Sequence, residues 1–482
     1  MGTTYLPSPT SRVQWGYARA DITPPVGIYH RLWGAARHDR ATGVHRPLLG
    51  DIMVMGSISC DGPMLLRAQL DLINLPLQTH NELRGALSEA SGVPLEHTVV
   101  SYSHTHASGS FSPGRQAMPG GDMIPAYLAE MQVRLVKAAQ EAAARQVQAT
   151  ITYAVGYCDM AANRDFWDEA NDCFVCGLNP DSAADDTAMV ARVTDGAGTI
   201  LAIIVNYGCH ATTLAYENTL ISPDFAGAMR DAVTSKTGAP CIYAQGACGD
   251  LGPRRNYIGG PAVADQNGRW LAYAALAALE SMGPPETDYL YQGPVISGAT
   301  LGIWDHVPLT EERKAEASRF EGGTHTIDLA LRPKPDPQAL QQELDQWLAR
   351  QQEADAQGEE LTARDFGARA ERARRWLGRI DTLPEGTTYA FHYSVHRLGD
   401  AIWATCGGEP YNLLQVELRK RFPGRAILLS PVSGDQPAAY LLPRDRYGQG
   451  LYQEEPSILA PGCLERVIEV MSEQIASLCQ DS

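Results

Sequence analysis

Residues 199–206 read Thr-Ile-Leu-Ala-Ile-Ile-Val-Asn, and every position from 200 to 205 is apolar. A strand with one face in water alternates apolar and polar residues, whereas a continuously apolar strand has both faces buried. The run therefore predicts a central strand in a sheet that is covered on both sides.

Helices and further strands alternate with this strand along the chain. Residues 224–235 and 264–282 have helical spacing, and the apolar run 241–244 between them is a short strand. The other predicted elements are strands at 51–59, 64–70, 388–396, 401–405 and 426–429, and helices at 78–91, 124–146 and 461–478. This alternation predicts the α/β class, with a mixed sheet covered by helices.

One segment departs from the surrounding composition. From residue 337 to residue 380 the chain is dense in Gln, Glu, Ala and Arg. Asp336 can cap a helix, Pro337 suits its first position, and Gly358 marks a turn. We predict a helical hairpin at 333–382, inserted into one large domain that spans 1–482. Its charged residues form a solvated face.

Charge and hydropathy exclude several kinds of partner. The net charge of -17 predicts repulsion from nucleic acid and from anionic membranes. No apolar run approaches the roughly 20 residues that a membrane helix needs. The first residues lack the basic start and apolar core of a signal peptide. We therefore predict a cytoplasmic protein with a small-molecule substrate and no membrane insertion; homo-oligomerisation is left open.

Polar side chains follow four of the predicted strands. His104 and His106 come after 98–100, where two histidines at i and i+2 of an extended segment point to the same side. His210, Asp250 and Glu409 each follow another strand. Ligands of α/β sheets collect at the carboxyl ends of strands. Two histidines and one glutamate form an open zinc site, which leaves a coordination position for water.

Each of these residues also has an ordinary structural explanation. A histidine after a strand is commonly a hydrogen-bonded core or surface residue. Asp250 could cap the following turn, and Glu409 before Pro410 could be an acid at a helix start. The repetition of one pattern at four strand ends is what favours a metal-dependent hydrolase.

The motifs in combination resemble a known family. They are Gly-Tyr-Ala-Arg-Ala-Asp-Ile-Thr-Pro-Pro at 16–25, Ala-Thr-Gly-Val-His at 41–45, Ser-His-Thr-His at 103–106, Asn-Tyr-Gly-Cys-His at 206–210 and Gly-Glu at 408–409. In this order they resemble the neutral/alkaline ceramidases, whose catalytic domains are zinc-dependent amidases. The resemblance runs through most of the chain in patches.

The resemblance implies a metal site. The zinc ligands would be His104, His210, Glu409 and, from a tyrosine-rich segment near the end, Tyr440. His106 would lie beside the metal and give a proton to the leaving amine.

The resemblance also implies residues around the metal. Arg164, in the segment Ala-Asn-Arg that includes Asn163, would be the family's substrate-facing arginine. As a mechanism, we further expect Arg164 to pair with a substrate carboxylate, Tyr440 or Tyr452 to stabilise the oxyanion, and Asp250 to orient a histidine ring.

One family motif differs in this chain. The family has Gly-Asp-Val-Ser-Pro where residues 249–253 read Gly-Asp-Leu-Gly-Pro, so Gly252 replaces a serine implicated in catalysis. The chain is also short for a ceramidase with a C-terminal β-sandwich, and 8 Phe are few for a lipid-binding surface. We therefore predict a divergent relative that uses zinc to hydrolyse an amide in a small, polar or carboxylate-bearing substrate. A zinc esterase or lactonase and a non-catalytic ceramidase-like binding protein are the alternatives.

Overall fold

The structure is a computed structural model, and it describes residues 4–59, 62–380, 382–434 and 436–480. The ends of the predicted domain 1–482, and Asp381 within the predicted segment 333–382, lie outside the described residues.

Eight strands form a main sheet. In chain order they are β1 (Thr10–Asp21), β2 (Leu49–Gly56), β3 (Met64–Leu70), β4 (Thr98–Tyr102), β5 (Val147–Tyr157), β6 (Thr187–Asp195), β7 (Ile200–Tyr207) and β8 (Cys241–Gln245). Across the sheet the order is β8-β7-β6-β5-β1-β2-β3-β4. The pairs β3–β4 and β7–β8 are parallel and the others are antiparallel, so the sheet is mixed, as predicted.

Four more strands form a second sheet. They are β9 (Phe320–Ala330), β10 (Thr388–Leu398), β11 (Ala401–Cys406) and β12 (Ala426–Leu429), in this order across the sheet. Shorter ladders are Tyr5–Leu6 with Thr287–Ser297 and Ala299–Pro308, Asp165–Asp168 with Cys173–Cys176, Gly43–Val44 with Leu220–Ile221, Ala161–Asn163 with Leu251–Pro253, and Glu409–Pro410 with Tyr440–Leu441.

Nine α-helices lie within the described residues. They are α1 (Leu77–Ser91), α2 (Ile124–Ala144), α3 (Phe225–Thr237), α4 (Pro261–Glu280), α5 (Glu311–Ala317), α6 (Pro337–Ala356), α7 (Glu360–Ile380), α8 (Leu413–Arg421) and α9 (Cys463–Cys479). None of these helices is both long and apolar enough to cross a bilayer.

The two sheets pack face to face between helices. Met53 and Met55 of β2 pack with Trp403 of β11, in the core between the sheets. Ile52 and Val54, on the opposite face of β2, pack against α1 and α2. Helices α3 and α4 cover β7 in the same way, and α8 and α9 cover the second sheet. The α/β class is confirmed, although the helices within the described residues cover one face of each sheet while the other sheet covers the opposite face.

The apolar run 200–205 forms most of β7. Its consecutive residues Ile203 and Ile204 point to opposite faces and belong to two different hydrophobic cores. It is buried on both faces as predicted, although it lies next to the edge strand β8 rather than at the middle of the sheet.

Helices α6 and α7 form a hairpin where the composition changes. Gly358 lies between them with φ of 74°, a left-handed conformation that glycine adopts without strain. The Trp347 and Phe366 rings stack across the pair at 5.6 Å. That the hairpin is an insertion into the fold stays a prediction.

Candidate active site

The loops that follow β4 and β7 meet, although these strands are far apart in the sheet order. The main sheet curves, and Arg19 of β1 donates a hydrogen bond to the carbonyl oxygen of Cys241 in β8 at 2.6 Å. As a result, the His104 and His210 rings lie 5.0 Å apart. The residues after these two strands therefore share one pocket.

His104 reaches this pocket through a bent backbone. Strand β4 ends at Tyr102, and His104 has φ of 59°, which residues with a side chain rarely adopt. Its N–H donates to the carbonyl oxygen of Leu72 at 3.0 Å. The His104 and His106 rings still lie together, at 5.0 Å, but the segment is not the extended one that their spacing suggested.

Backbone carbonyls fix the orientation of two histidine rings. Nδ1 of His104 lies 2.9 Å from the carbonyl oxygen of Ile73, and Nδ1 of His210 lies 2.6 Å from that of Cys248. A carbonyl can only accept, so Nδ1 is the protonated nitrogen in each ring. The Nε2 atoms therefore direct lone pairs into the pocket.

Glu409 completes a group of three acceptors. Its Oε2 lies 3.3 Å from Nε2 of His104 and 3.1 Å from Nε2 of His210. Acceptors this close repel unless a proton or a metal ion lies between them. Two ligands about 2.0–2.1 Å from a tetrahedral zinc ion are about 3.3–3.4 Å apart, so the spacing fits such an ion.

The three groups shift one another's pKa values. Burial alone would raise the pKa of Glu409, but His104 and His210 outweigh burial and lower it well below its ordinary value. Burial lowers the pKa of His210 to about 4, so this ring is neutral, as a metal ligand must be. For His104, burial lowers the pKa but Glu409 reverses the sign, and the pKa is raised.

His106 also faces the pocket. Its Nε2 is buried without a hydrogen-bond partner among the described residues. Ligand atoms of His104, His106 and His210 all lie within 4.8 Å of one another. The structure thus allows His106 either on the metal or, as the resemblance implies, beside it.

Tyr440 lies against the same centre. Its backbone pairs with that of Glu409, and its ring stacks on His210 at 6.2 Å. Its hydroxyl accepts a hydrogen bond from Nη2 of Arg164 at 3.1 Å. Burial, with the charge of Glu409, raises its pKa well above the ordinary value, so the phenol is neutral in the absence of metal. The Tyr452 ring lies 5.9 Å from the Tyr440 ring and is half exposed.

Asp250 and Asn163 are hydrogen-bonded to each other near the site. The Asp250 carboxylate accepts from the backbone N–H of Asn412 at 2.7 Å and from Nδ2 of Asn163 at 3.3 Å. The structure does not bring this carboxylate to a histidine ring. Carbonyl oxygens of Cys248 and Leu251 take the place at His210 that the sequence suggested for Asp250.

Two aromatic residues that the sequence analysis missed also line the pocket. Trp33 lies 5.1 Å from the His106 ring, and Tyr257 lies 5.8 Å from Trp33. Both lie in irregular loops, which have no periodic pattern to reveal them. Tyr257 has φ of 58°, and such a strained backbone at a bulky residue is a signal only a structure can show.

The helical hairpin contacts two segments that carry residues of the site. Arg375 of α7 donates to the carbonyl oxygen of Leu32, next to Trp33. Trp376 donates from Nε1 to Glu455 at 2.7 Å, close to Tyr452 in the chain. Helix α7 therefore contacts both the segment that carries Trp33 and the segment that carries Tyr452.

Two solved structures share the architecture of this chain. Neutral ceramidase from Pseudomonas aeruginosa superposes with a TM-score of 0.64 at 16% sequence identity, over 98% of this chain and 74% of that chain. A ceramidase complexed with C2 gives 0.64 at 15%, over 98% and 75%. The chain has the fold of the neutral ceramidases. No protein-family profile and no curated protein sequence matches it. The resemblance seen in the motifs is confirmed at the level of the ceramidase fold.

Proposed function

We propose that this ceramidase-like protein is a zinc-dependent hydrolase of an amide bond in a small, carboxylate-bearing substrate. The convergence of three acceptor atoms, from His104, His210 and Glu409, carries this proposal. The fold shared with neutral ceramidases favours an amide hydrolase over other uses of such a centre.

The proposed ligands are His104, His210, Glu409 and Tyr440. Zinc bound by them would supply a water of pKa about 7 and polarise the carbonyl of the substrate. The carbonyl oxygens at Nδ1 of both histidines hold their rings in the orientation that coordination needs.

The surrounding side chains would carry out the remaining steps. Burial and the neighbouring histidines lower the pKa of His106 well below its ordinary value, so its ring is neutral. Through its unpartnered Nε2 it would take a proton from the attacking water and give a proton to the leaving amine. The hydroxyl of Tyr440 or Tyr452 would donate to the developing oxyanion, an effect worth roughly 3–4 kcal/mol per donor. Arg164 would hold the substrate carboxylate, next to Asn163 in the chain and to Gly252, whose missing side chain makes room for Asn256.

Metal analysis with an activity assay tests the proposal. Purified protein should contain one zinc per chain, lose amide hydrolysis on chelation and regain it with zinc. His210→Ala should lose both metal and activity. A matched ester shows whether the site prefers that class instead. Undiminished amide hydrolysis by the chelated protein or by His210→Ala would overturn the proposal.

A further inference from the structure

The space beside Gly252 is filled by another residue. A Cβ atom added to Gly252 would lie 2.6 Å from Nδ2 of Asn256 and 3.9 Å from Cδ of Arg164. A serine at this position would collide with the amide unless Asn256 moved. The Asn256 side chain therefore occupies the place that a side chain at position 252 would take, on the side of the backbone that faces Arg164.

The orientation of the Asn256 amide follows from its contacts. Its Oδ1 accepts a hydrogen bond from the backbone N–H of Tyr257 at 3.1 Å, so the NH2 group is directed towards Gly252. This Nδ2 is buried and has no hydrogen-bond partner among the described residues. Native structures rarely leave a buried donor unpaired, which points to a partner that arrives with a ligand.

Arg164, whose Cδ lies beside the same position, also carries donors. The Arg164 guanidinium donates to the Gly249 carbonyl oxygen at 2.7 Å and to the Tyr440 hydroxyl, and it also hydrogen-bonds with Tyr257. Arg164 is only 3% exposed. No carboxylate within the described residues forms an ion pair with it. A buried cation ordinarily has an anionic partner.

We propose that Asn256, Arg164 and Tyr257 form the subsite for the substrate's carboxylate, with Asn256 Nδ2 as a specificity-determining donor in the space that Gly252 leaves open. This inference rests on the proposed function and names its substrate class, amides that bear a carboxylate near the scissile bond. A carboxylate accepts from all three groups, whereas an uncharged carboxamide brings donors of its own and no charge.

Two small probes of nearly the same shape test the subsite, N-acetylglycine and N-acetylglycinamide. Acetate release by the zinc-loaded full-length protein measures hydrolysis. Titration calorimetry on the same protein depleted of zinc measures binding, because there no carboxylate can bind through the metal. We expect N-acetylglycine to bind at least tenfold more tightly than N-acetylglycinamide, as a charge-assisted contact requires.

Variants assign this preference to Asn256. Asn256→Ala should reduce the preference about tenfold, and the nearly isosteric Asn256→Asp, which sets an acceptor beside Arg164, should abolish it. Asn81→Ala is the matched control, because Asn81 is exposed on α1. Circular dichroism checks that each variant is folded.

The two assays separate this inference from the proposed function. Equal binding of the two probes to the native protein, or a folded Asn256→Ala that keeps the preference, overturns the subsite even if acetate is released. Selective binding that Asn256→Asp removes, without any acetate release, supports the subsite and counts against the hydrolase.

Discussion

Glu409 lies opposite Tyr440 in a parallel ladder only two residues long. The pairing places a carboxylate and a phenol on one side of the three-histidine pocket, although they come from separate segments. Backbone hydrogen bonds hold the ladder, including the Glu409 N–H to the carbonyl oxygen of Ala439 at 2.7 Å. Both candidate ligands are thus held by main-chain contacts before any metal binds.

Tyr440→Phe keeps the ring against His210 and removes only the hydroxyl. We expect kcat for amide hydrolysis to fall about 10²–10³-fold, because the lost hydroxyl is both a donor to the oxyanion and a proposed zinc ligand. Tyr447→Phe is the control, since the Tyr447 hydroxyl donates to the carbonyl oxygen of Leu459 at 3.0 Å and belongs to no part of the proposed site. Equal activity of Tyr440→Phe and the native protein would remove Tyr440 from the mechanism.

His104 and His106 should differ in their effect on metal binding. If His104 is a ligand and His106 acts beside the metal, His104→Gln loses zinc. His106→Gln keeps one zinc per chain while kcat drops about 10²–10⁴-fold. Metal analysis of the two variants, side by side, makes the comparison. Loss of zinc from both would instead indicate a site of three histidines.

The buried carboxylate of Glu371 anchors the helical hairpin. It accepts from Arg115 at 3.3 Å, Arg374 at 2.7 Å and Arg375 at 3.1 Å. Glu371→Gln leaves Arg115 without its charge partner and should cost about 3–5 kcal/mol of hairpin stability. Hydrogen exchange of α6 and α7 measures this loss, with exposed Glu359→Gln as the control. Unchanged exchange in α7 would contradict the anchoring role.

Acidic pH should destabilise the packing of the same hairpin. Burial would raise the pKa of Glu371, but the charges of Arg375 and Arg115 outweigh burial and lower it from 4.5 to about 2. The stabilisation from this lowered pKa is thus complete above pH 4.5 and is lost as the pH falls towards 2. As the pH falls over that range, amide hydrogen exchange in α6 and α7 of the native protein should become faster relative to the intrinsic exchange rate at each pH. Glu371→Gln should not show this pH-dependent increase.

Arg67 presents the opposite situation between the two sheets. It is 4% exposed, its Nη1 has no hydrogen-bond partner among the described residues, and burial lowers its pKa to about 10. We expect Arg67→Met to keep or increase the free energy of unfolding, by up to about 4 kcal/mol. Arg230→Met should lose about 3–5 kcal/mol, because Arg230 pairs with buried Asp71 at 2.5 Å. Urea denaturation compares them, and a large loss in Arg67→Met would show that the contact of its guanidinium with the Trp403 ring, at 5.4 Å, outweighs the cost of burying the charge.

Local sequence patterns predicted the individual strands and helices better than they predicted how these elements are arranged. The predicted strands 64–70 and 426–429 match β3 and β12, because burial and turn residues mark their ends. The antiparallel ribbon at Thr287–Ser297 and Ala299–Pro308 was missed. Its apolar residues include exposed Ile296, so burial leaves no pattern there.

The site was predictable as a set of strand ends, but its geometry was not. His104, His210 and Glu409 follow strands that are distant in the chain, and only the curvature of the main sheet and the packing of the second sheet bring them together. An apolar run in the sequence looks the same whether a helix or a second sheet covers the strand. The sequence therefore could not show which element packs on each face of the main sheet. The contacts of Asp250 depend on Asn412, whose position comes from the second half of the chain.

The bent backbone at His104 sets stability against function. A residue with a side chain at φ of 59° holds about 1–3 kcal/mol of strain, which glycine would relieve. Any replacement that relaxes the backbone at this point also discards an imidazole that the proposed chemistry needs. Selection for heat resistance alone would therefore drive position 104 towards residues that end activity. Improving this protein for use at high temperature means holding His104 constant and seeking gains elsewhere.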